Sequence, residues 1–483
     1  DMRGMMYMKN IIKTLNYAMG AYIIYIIIFG GIVLSFYKHN TSNYLETHPV
    51  ERFWGEKTGQ DRVVLVEDRY NSGIARIDFI ENAKETLDIS YYAIDNGISS
   101  DIFLGCILNA ADRGVKVRLL LDGSLQNIIE MKEAKYTIFQ HPNIELKFYD
   151  TSGFFRPWSW NNRLHDKYII ADNQIAMIGG RNIGDRYFAK ERKNGDIVND
   201  RDVVIINTDS QNTSNSAIYQ MREYFNYVWN HKYSKCPVKK LTQRQERKGQ
   251  AKAEYLNKNI EKVRKDNPEM FNQSIDWLAI SLPTNKVTLI HNPIERFNKE
   301  PWCWYEITNL AERAKEFIFI QSPYIIPTKD MLKHIGTIDV PRENIDILTN
   351  SLASTPNAMA YSGHIRHRKK MVDFGANVYE FQGPGSIHAK SYIFDDRISL
   401  VGSFNMDSRS TYLSTETMVV IDSKEFANHL KKVIEDNSNN SLKVLENYSY
   451  EYNSAVEEGE VLLSKVIKIR ILSIITYLFD YML

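Results

Sequence analysis

Cysteine is scarce in this chain: three residues in 483, Cys106, Cys236 and Cys303, with no CxxC pair among them. That excludes a scaffold stapled by disulfides and a structural zinc site built on thiolates. An excess of charge of one sign is also missing. With 60 basic and 59 acidic side chains the formal net charge is +1, which argues against a protein that grips nucleic acid along a whole face and leaves room only for local basic patches. Apolar residues, by contrast, are plentiful at 43%. Most of the length is therefore able to bury a core, and the length suits two or three domains or one large pseudo-symmetric one.

The ends of the chain are the least polar parts. Tyr17 to Tyr37 carries no charge over 21 residues, enough for a helix to cross the ~30 Å of hydrocarbon in a bilayer. It runs into Lys38-His39-Asn40 with no small-residue cleavage site, the pattern of a retained anchor more than of a secretory signal. Arg3, Lys9 and Lys13 precede it and Lys38 alone follows closely, which places the N-terminus in the cytoplasm and the bulk of the chain outside it. Residues 461–483 are apolar but carry Lys465, Lys468 and Arg470. With the two lysines on one helical face and Leu462, Val466, Ile469 and Ser473 on another, this segment suits either a helix lying in the bilayer interface or a terminal helix docked on the core.

Between the ends the chain repeats itself. Ala83-Lys-Glu-Thr-Leu-Asp-Ile-Ser-Tyr-Tyr92 returns as Ala314-Lys-Glu-Phe-Ile-Phe-Ile-Gln-Ser-Pro-Tyr324, and each copy leads to a second strand-like run, Val115–Asp122 and Ile345–Asn350. Helical and strand periods alternate in both halves, the pattern of mixed α/β layers. Lys239 to Lys265 separates the halves, rich in Lys, Arg, Gln and Glu. It reads as a solvated helix or linker whose basic excess could also touch phosphates.

The repeat is sharpest at polar positions. The first copy reads His165-Asp-Lys167, then Asp172, Gly179-Gly180, Asn182 and Arg186; the second reads His388-Ala-Lys390, then Asp395, Gly402-Ser403, Asn405 and Arg409. All offsets from the histidine agree. On a strand, residues i and i+2 share a face, so each His and Lys should project together from a strand beginning at the motif. The glycines after the next strand would let the backbone approach what the site binds. Asn182 and Asn405 would add neutral donors to the two lysines.

Two imidazoles, two ammonium groups and two carboxamides make an anion pocket suited to phosphoryl chemistry. One histidine can attack phosphorus while the other, protonated, hands its proton to the leaving oxygen. The lysines and asparagines would hold the nonbridging oxygens. No metal or cofactor is called for, since ammonium groups carry the charge and no second metal-ligand side chain stands at zinc spacing near either motif. Each imidazole needs a partner that fixes its tautomer. Asp200 and Glu416, aligned by the Val-Val-Ile that follows each, are the candidates, with Asp200 preferred to Asp202; Asp172 and Asp395 read as structural turn residues.

These motifs are those of the phospholipase D superfamily, HxKxxxxD, and the resemblance spans nearly all of residues 55–425. Gly179–Asp185 and Gly402–Glu416 look most like bacterial cardiolipin synthases, in particular the type that uses phosphatidylethanolamine. The resemblance implies an α/β phospholipase D fold of two similar mixed-sheet lobes related by a pseudo-two-fold axis, and a phosphatidyl-histidine intermediate with His165 as nucleophile and His388 as general acid. The residues themselves do not rank the two histidines. Synthases of the best-known type generally carry two N-terminal membrane helices; this chain shows one and an apolar C-terminus. The expected organisation is an anchor at 1–40, a first lobe at 41–238, a basic linker at 239–275, a second lobe at 276–450 and a membrane-associated helix at 451–483. The expected activity is phosphatidyl transfer at a cell membrane, making cardiolipin from phosphatidylglycerol with phosphatidylglycerol or phosphatidylethanolamine as second substrate. The superfamily also holds lipid hydrolases and nucleases, and Phe154, Phe155, Trp158 and Trp160 before the first motif could line an acyl entrance, stack bases or fill a core; the charge balance and apolar ends favour phospholipid over nucleic acid.

Overall fold

The computed structural model describes residues 2–38, 41–190, 197–272, 274–477 and 479–483. His39 and Asn40, at the end of the apolar run, lie outside them. The N-terminal helix runs from Met2 to Ile27 and continues through a π-helical stretch, Ile28–Ile32, to Val33–Phe36. Its Tyr7–Phe36 portion is long and apolar enough to cross a membrane, and only 17% of its most apolar window is buried, so it is no core helix of the lobes.

Two large mixed sheets carry the rest. The first has nine strands in the order 234–235, 144–149, 116–122, 86–91, 167–171, 175–179, 202–207, 61–66 and 282–283. The second has eight, in the order 286–291, 417–422, 398–402, 391–394, 318–321, 345–350, 377–381 and 441–443. From 144–149 to 61–66 the first sheet matches the second, read backwards from 377–381 to 286–291, strand for strand. In each the strand before the crossover connection, Thr86–Tyr91 or Ile318–Gln321, pairs parallel to one neighbour and antiparallel to the motif strand. The residues 282–283, placed in the second half by sequence, add instead to the edge of the first sheet beside Arg62 and Val63.

Strand alternation sorts the side chains into layers. Tyr168, Ile170 and Val203 of the first sheet share one core with Phe319, Ile393 and Val401 of the second, so the sheets bury a common inner face. Ile169 and Met177 point the other way, into a core with the helices 69–82 and 98–112, as Leu400 does with the helix 302–313. The basic segment forms a helix, Gln243–Asp266, started by a capping box of Thr242 and Gln245. Gly249, Leu256 and Ile260 bury one face of it on the first lobe while its charged face stays in solvent.

The C-terminal helix, Leu463–Tyr477, packs on the helix Ala358–Asp373. Its buried side holds Ile469 and Thr476, and Arg366 donates to the Ser473 carbonyl at 2.7 Å and to Thr476 Oγ1 at 2.8 Å. The face carrying Val466, Ile469 and Ser473 therefore turns toward the lobe. A different face, with Leu463, Ile467, Ile471 and Ile474 exposed by 50% to 75%, looks outward. Hydrophobicity alone could not choose between two apolar sides of this helix; the serine and threonine that meet Arg366 decide it.

Candidate active site

Two short parallel ribbons bring the halves together. Arg163–Leu164 pairs with Ser414–Thr415, and Val198–Asn199 pairs with Ser386–Ile387. Each ribbon joins the residues just before a motif histidine to those just before a carboxylate of the other half. His165 Nδ1 lies 2.9 Å from Glu416 Oε2, and His388 Nδ1 lies 2.5 Å from Asp200 Oδ2. The pairing is crossed: each lobe's histidine is held by the opposite lobe's acid. With Nδ1 so engaged, Nε2 of each ring is left for chemistry.

The histidines stand in the break before the motif strands. Those strands begin at Lys167 and Ser391, and the His165 N–H is donated to Thr415 Oγ1 at 3.0 Å instead of to a ladder neighbour. The two-residue periodicity expected from His to Lys starts too early by that much, because the ribbon to the other lobe claims the histidine. Both lysines are buried at the site, 1% and 0% exposed. Lys167 Nζ donates to the His165 carbonyl and sits 5.2 Å from the Tyr92 ring centre. Lys390 Nζ donates to the His388 carbonyl and is 2.9 Å from His388 Nδ1. Among the described residues neither lysine is in an ion pair within 4 Å.

Asn182 and Asn405 are buried, and among the described residues the carboxamide oxygen of each has no hydrogen-bond partner. Asn182 reaches the site through Tyr187: its Nδ2 donates to the Tyr187 hydroxyl at 3.2 Å, and that ring stands edge-on to His388 at 5.9 Å. Neither asparagine is hydrogen-bonded to a motif histidine or lysine. Asp172 and Asp395 lie away from the site. Each has φ above +50°, and each carboxylate accepts N–H groups from the segment leading into the neighbouring strand, residues 84–86 and 315–317. Asp202 is taken by Arg76 and Arg181.

The glycines make room for protein rather than ligand. A Cβ on Gly180 would meet Asp200 Oδ1 at 2.3 Å, one on Gly179 would meet Asp202 Oδ1 at 2.1 Å, and one on Gly402 the Thr417 carbonyl at 2.2 Å. Their expected role, letting the backbone approach a bound molecule, gives way to letting the carboxylate strand come close. Ser403, aligned with Gly180, uses its hydroxyl instead, donating to Glu416 Oε2. Tyr92 was missed by sequence reasoning; the repeat places Pro323 at its position and Tyr324 one residue further on, so the matching offsets gave no signal for it. Asp166, the variable residue inside the first motif, was missed as well. It is buried, bound to Thr415 Oγ1 and the Tyr224 hydroxyl, and pushed up to about 6 by that burial.

Electrostatics separate two pairs that geometry makes similar. Burial, then Lys167 and Lys390, hold His165 well below the usual imidazole range. Burial and Lys390 lower His388 to about 4 while Asp200 opposes them. At Asp200 burial acts upward, but Lys390 and His388 outweigh it and keep the carboxylate charged. At Glu416 burial wins over Lys167 and Ser403 and raises the carboxyl well above the usual range. His388 is therefore the imidazole with a charged carboxylate behind it. Burial also lowers Lys167 to about 7 and Lys390 to about 8, a state in which an arriving anion restores the charge of both.

The chain is similar to known proteins. Residues 77–229 and 307–437 match the family described as "Cardiolipin synthase, PLD-like domain". An uncharacterized protein of Helicobacter pylori is 29% identical over 467 residues, covering 86% of this chain and 87% of its own. Cardiolipin synthase C of Escherichia coli is 27% identical over 415 residues, 77% of this chain and 84% of that one. The crystal structure of phosphatidylserine synthase from Haemophilus influenzae superimposes over 90% of this chain and all of its own with a TM-score of 0.62 at 14% identity, which shows a shared fold. With both lobes matched and the two His-Lys motifs brought together across the lobes, the chain belongs to the cardiolipin synthase, phospholipase D-like domain family and is an enzyme of the phospholipase D type.

Proposed function

We propose that this enzyme is a membrane-anchored phosphatidyltransferase that makes cardiolipin from phosphatidylglycerol, with a second phosphatidylglycerol or phosphatidylethanolamine as the other substrate. The observation that carries the reading is the crossed pair of histidine–carboxylate contacts with two buried lysines between them. His165, kept neutral, attacks phosphorus through Nε2 as the bond to the leaving oxygen breaks. His388 is neutral in the free enzyme; the charged Asp200 favours its protonated form, and the negative charge of the bound diester raises it further, so that in the complex it gives its proton to the leaving alkoxide. In the second half His388 takes the proton of the incoming hydroxyl, whose oxygen attacks phosphorus and releases His165. Lys167 and Lys390 hold the nonbridging oxygens, where a low-dielectric site makes their charge count most. Asn182 and Asn405, both buried, complete the pocket in this reading through their Nδ2 donors.

The surroundings support a lipid. Tyr22 of the N-terminal helix stacks on Phe154 at 4.2 Å, and the hydroxyls of Tyr22 and Tyr25 donate to the carbonyls of Phe154 and Phe155. Both phenylalanines are exposed. A loop pinned beside an apolar helix, with its rings in the open, suits acyl chains better than bases. In this reading the helix is a retained single-pass anchor in a bacterial cell membrane.

The test is product analysis with the full chain in vesicles of labelled phosphatidylglycerol, with and without phosphatidylethanolamine, and single-stranded DNA in parallel. Cardiolipin is the expected product; DNA shortening with no lipid product overturns the reading. The pH profile adds a check. Binding the diester needs charged lysines, and burial has lowered them to about 7 and about 8 in the free enzyme. Hence kcat/KM falls as pH rises through that window, whereas the alkaline limb of kcat lies higher, because bound phosphate raises both lysines.

A further inference from the structure

The two lobes differ most in the loop that leads to each histidine. Tyr149, which pairs with Asp122, and Phe381, which pairs with Asn350, occupy matching strand ends. Asp122 accepts the N–H of Leu164 and Asn350 that of Ile387, each at 2.8 Å, so the positions before the two histidines match as well. Between these fixed points the first lobe has fifteen residues, 150–164, and the second has six, 382–387. The long loop is the aromatic one against the N-terminal helix. It also reaches the site: Asn161 donates to the Gly30 carbonyl at 2.8 Å and accepts from Arg409 at 3.3 Å.

The short loop of the second lobe borders an open groove of mixed polar and apolar lining. Its volume is about 950 Å³, and its walls include Ser354, Pro384, Gly385, Glu460, Lys465 and Lys468. It is tied to the His388 side. Ser354 Oγ donates to Asn350 Oδ1 at 3.2 Å, and that same oxygen accepts the N–H of Ile387, the neighbour of His388. Lys465 is anchored by the carbonyls of Ala353 and Thr355 at 3.1 and 2.9 Å. Lys468 is exposed and, among the described residues, in no ion pair. Both lysines belong to the C-terminal helix, whose outward face is the apolar one of Leu463, Ile467, Ile471 and Ile474.

We infer that this groove is the binding site for the headgroup of the acceptor lipid, a hydroxyl-bearing glycerophosphate diester. The inference rests on the phosphatidyl-transfer reading above. In-line displacement puts nucleophile and incoming oxygen on opposite sides of phosphorus, so with His165 attacking, the acceptor comes from the His388 side, where the groove lies. An acceptor such as phosphatidylglycerol carries a phosphate of its own, and the two buried lysines are occupied by the donor's phosphate. Lys468 supplies the next cation. The same helix would rest its apolar face among the acyl chains, which sets the headgroup level at the groove mouth. The hydroxyl then loses its proton to His388 Nε2, its oxygen bonds to phosphorus, and the P–N bond to His165 breaks.

The test uses the full chain in phosphatidylglycerol vesicles and reads the ratio of cardiolipin to phosphatidic acid, the products of capture by lipid and by water, in one tube. Lys468→Glu reverses the charge, and Ser464→Trp narrows the groove from the exposed helix start. Each is expected to lower the ratio about ten-fold, Lys468→Glu by the loss of one charge-assisted contact and Ser464→Trp by closing the space for the headgroup. A ratio unchanged in both variants overturns the inference. If the wild-type chain makes no cardiolipin, it is the transfer reading that has failed, and the groove is tested separately with bis(4-nitrophenyl) phosphate as donor and glycerophosphoglycerol as acceptor. Transfer product that falls relative to hydrolysis in both variants then supports the groove, and no transfer product, or an unchanged ratio, overturns it.

Discussion

His165→Ala is expected to abolish both lipid transfer and the covalent intermediate, a loss of about 10⁴-fold or more, as when the nucleophile of a covalent catalyst is removed. His388→Ala should lose lipid turnover to a similar extent and yet behave differently toward a good leaving group. With 4-nitrophenyl phosphatidyl esters the departing phenolate needs no proton, so the first half-reaction survives in His388→Ala. The second does not, because nothing takes the proton of the incoming hydroxyl. A burst of nitrophenol equal to the enzyme, followed by near silence, is the expected trace, and His165→Ala should give no burst. Equal bursts in the two variants would contradict the division of roles. That division is the one proposed above, in which only His388 is backed by a carboxylate held in its charged form.

The second large effect crosses the lobes. Asp200→Asn changes a residue of the first lobe and should disable His388 in the second, since Asp200 Oδ2 is the atom on His388 Nδ1. The carboxamide keeps the shape but can present an N–H to the ring, favouring the wrong tautomer, a change worth about 10²–10⁴-fold in kcat where carboxylates orient catalytic histidines. Proton chemical shifts of the imidazole should move for His388 and stay for His165. Glu416→Gln should do the reverse and act more mildly, because burial already holds Glu416 toward its neutral acid. Should Asp200→Asn instead perturb His165, the crossed arrangement would be wrong.

Much of this was legible in the sequence, for a physical reason. A duplicated fold writes its site twice, and identical offsets from His165 and His388 to lysine, aspartate, glycine, asparagine and arginine leave little to chance. Asp200 and Glu416 could be found because the strands that follow them repeat Val-Val-Ile. Which histidine each one serves was not legible, since it depends on the ribbons 163–164 with 414–415 and 198–199 with 386–387, contacts some 190 to 250 residues apart in the chain. The glycines were read as room for a ligand because sequence cannot show that the neighbour at Gly180 is the Asp200 carboxylate. The C-terminal helix has two apolar sides, and its inner one was settled by Arg366, far away in sequence. The structural role of Asp172 and Asp395, by contrast, followed from their distance along the strand from the His-Lys face.

The most direct measurement is to stop the reaction with labelled phosphatidylglycerol during turnover, digest under mildly basic conditions that preserve phosphoramidates, and locate the phosphatidyl group by mass spectrometry. The account predicts the adduct on the peptide carrying His165, accumulating in His388→Ala with an activated donor and absent from His165→Ala. An adduct on His388, or cardiolipin formed by His165→Ala, would contradict it.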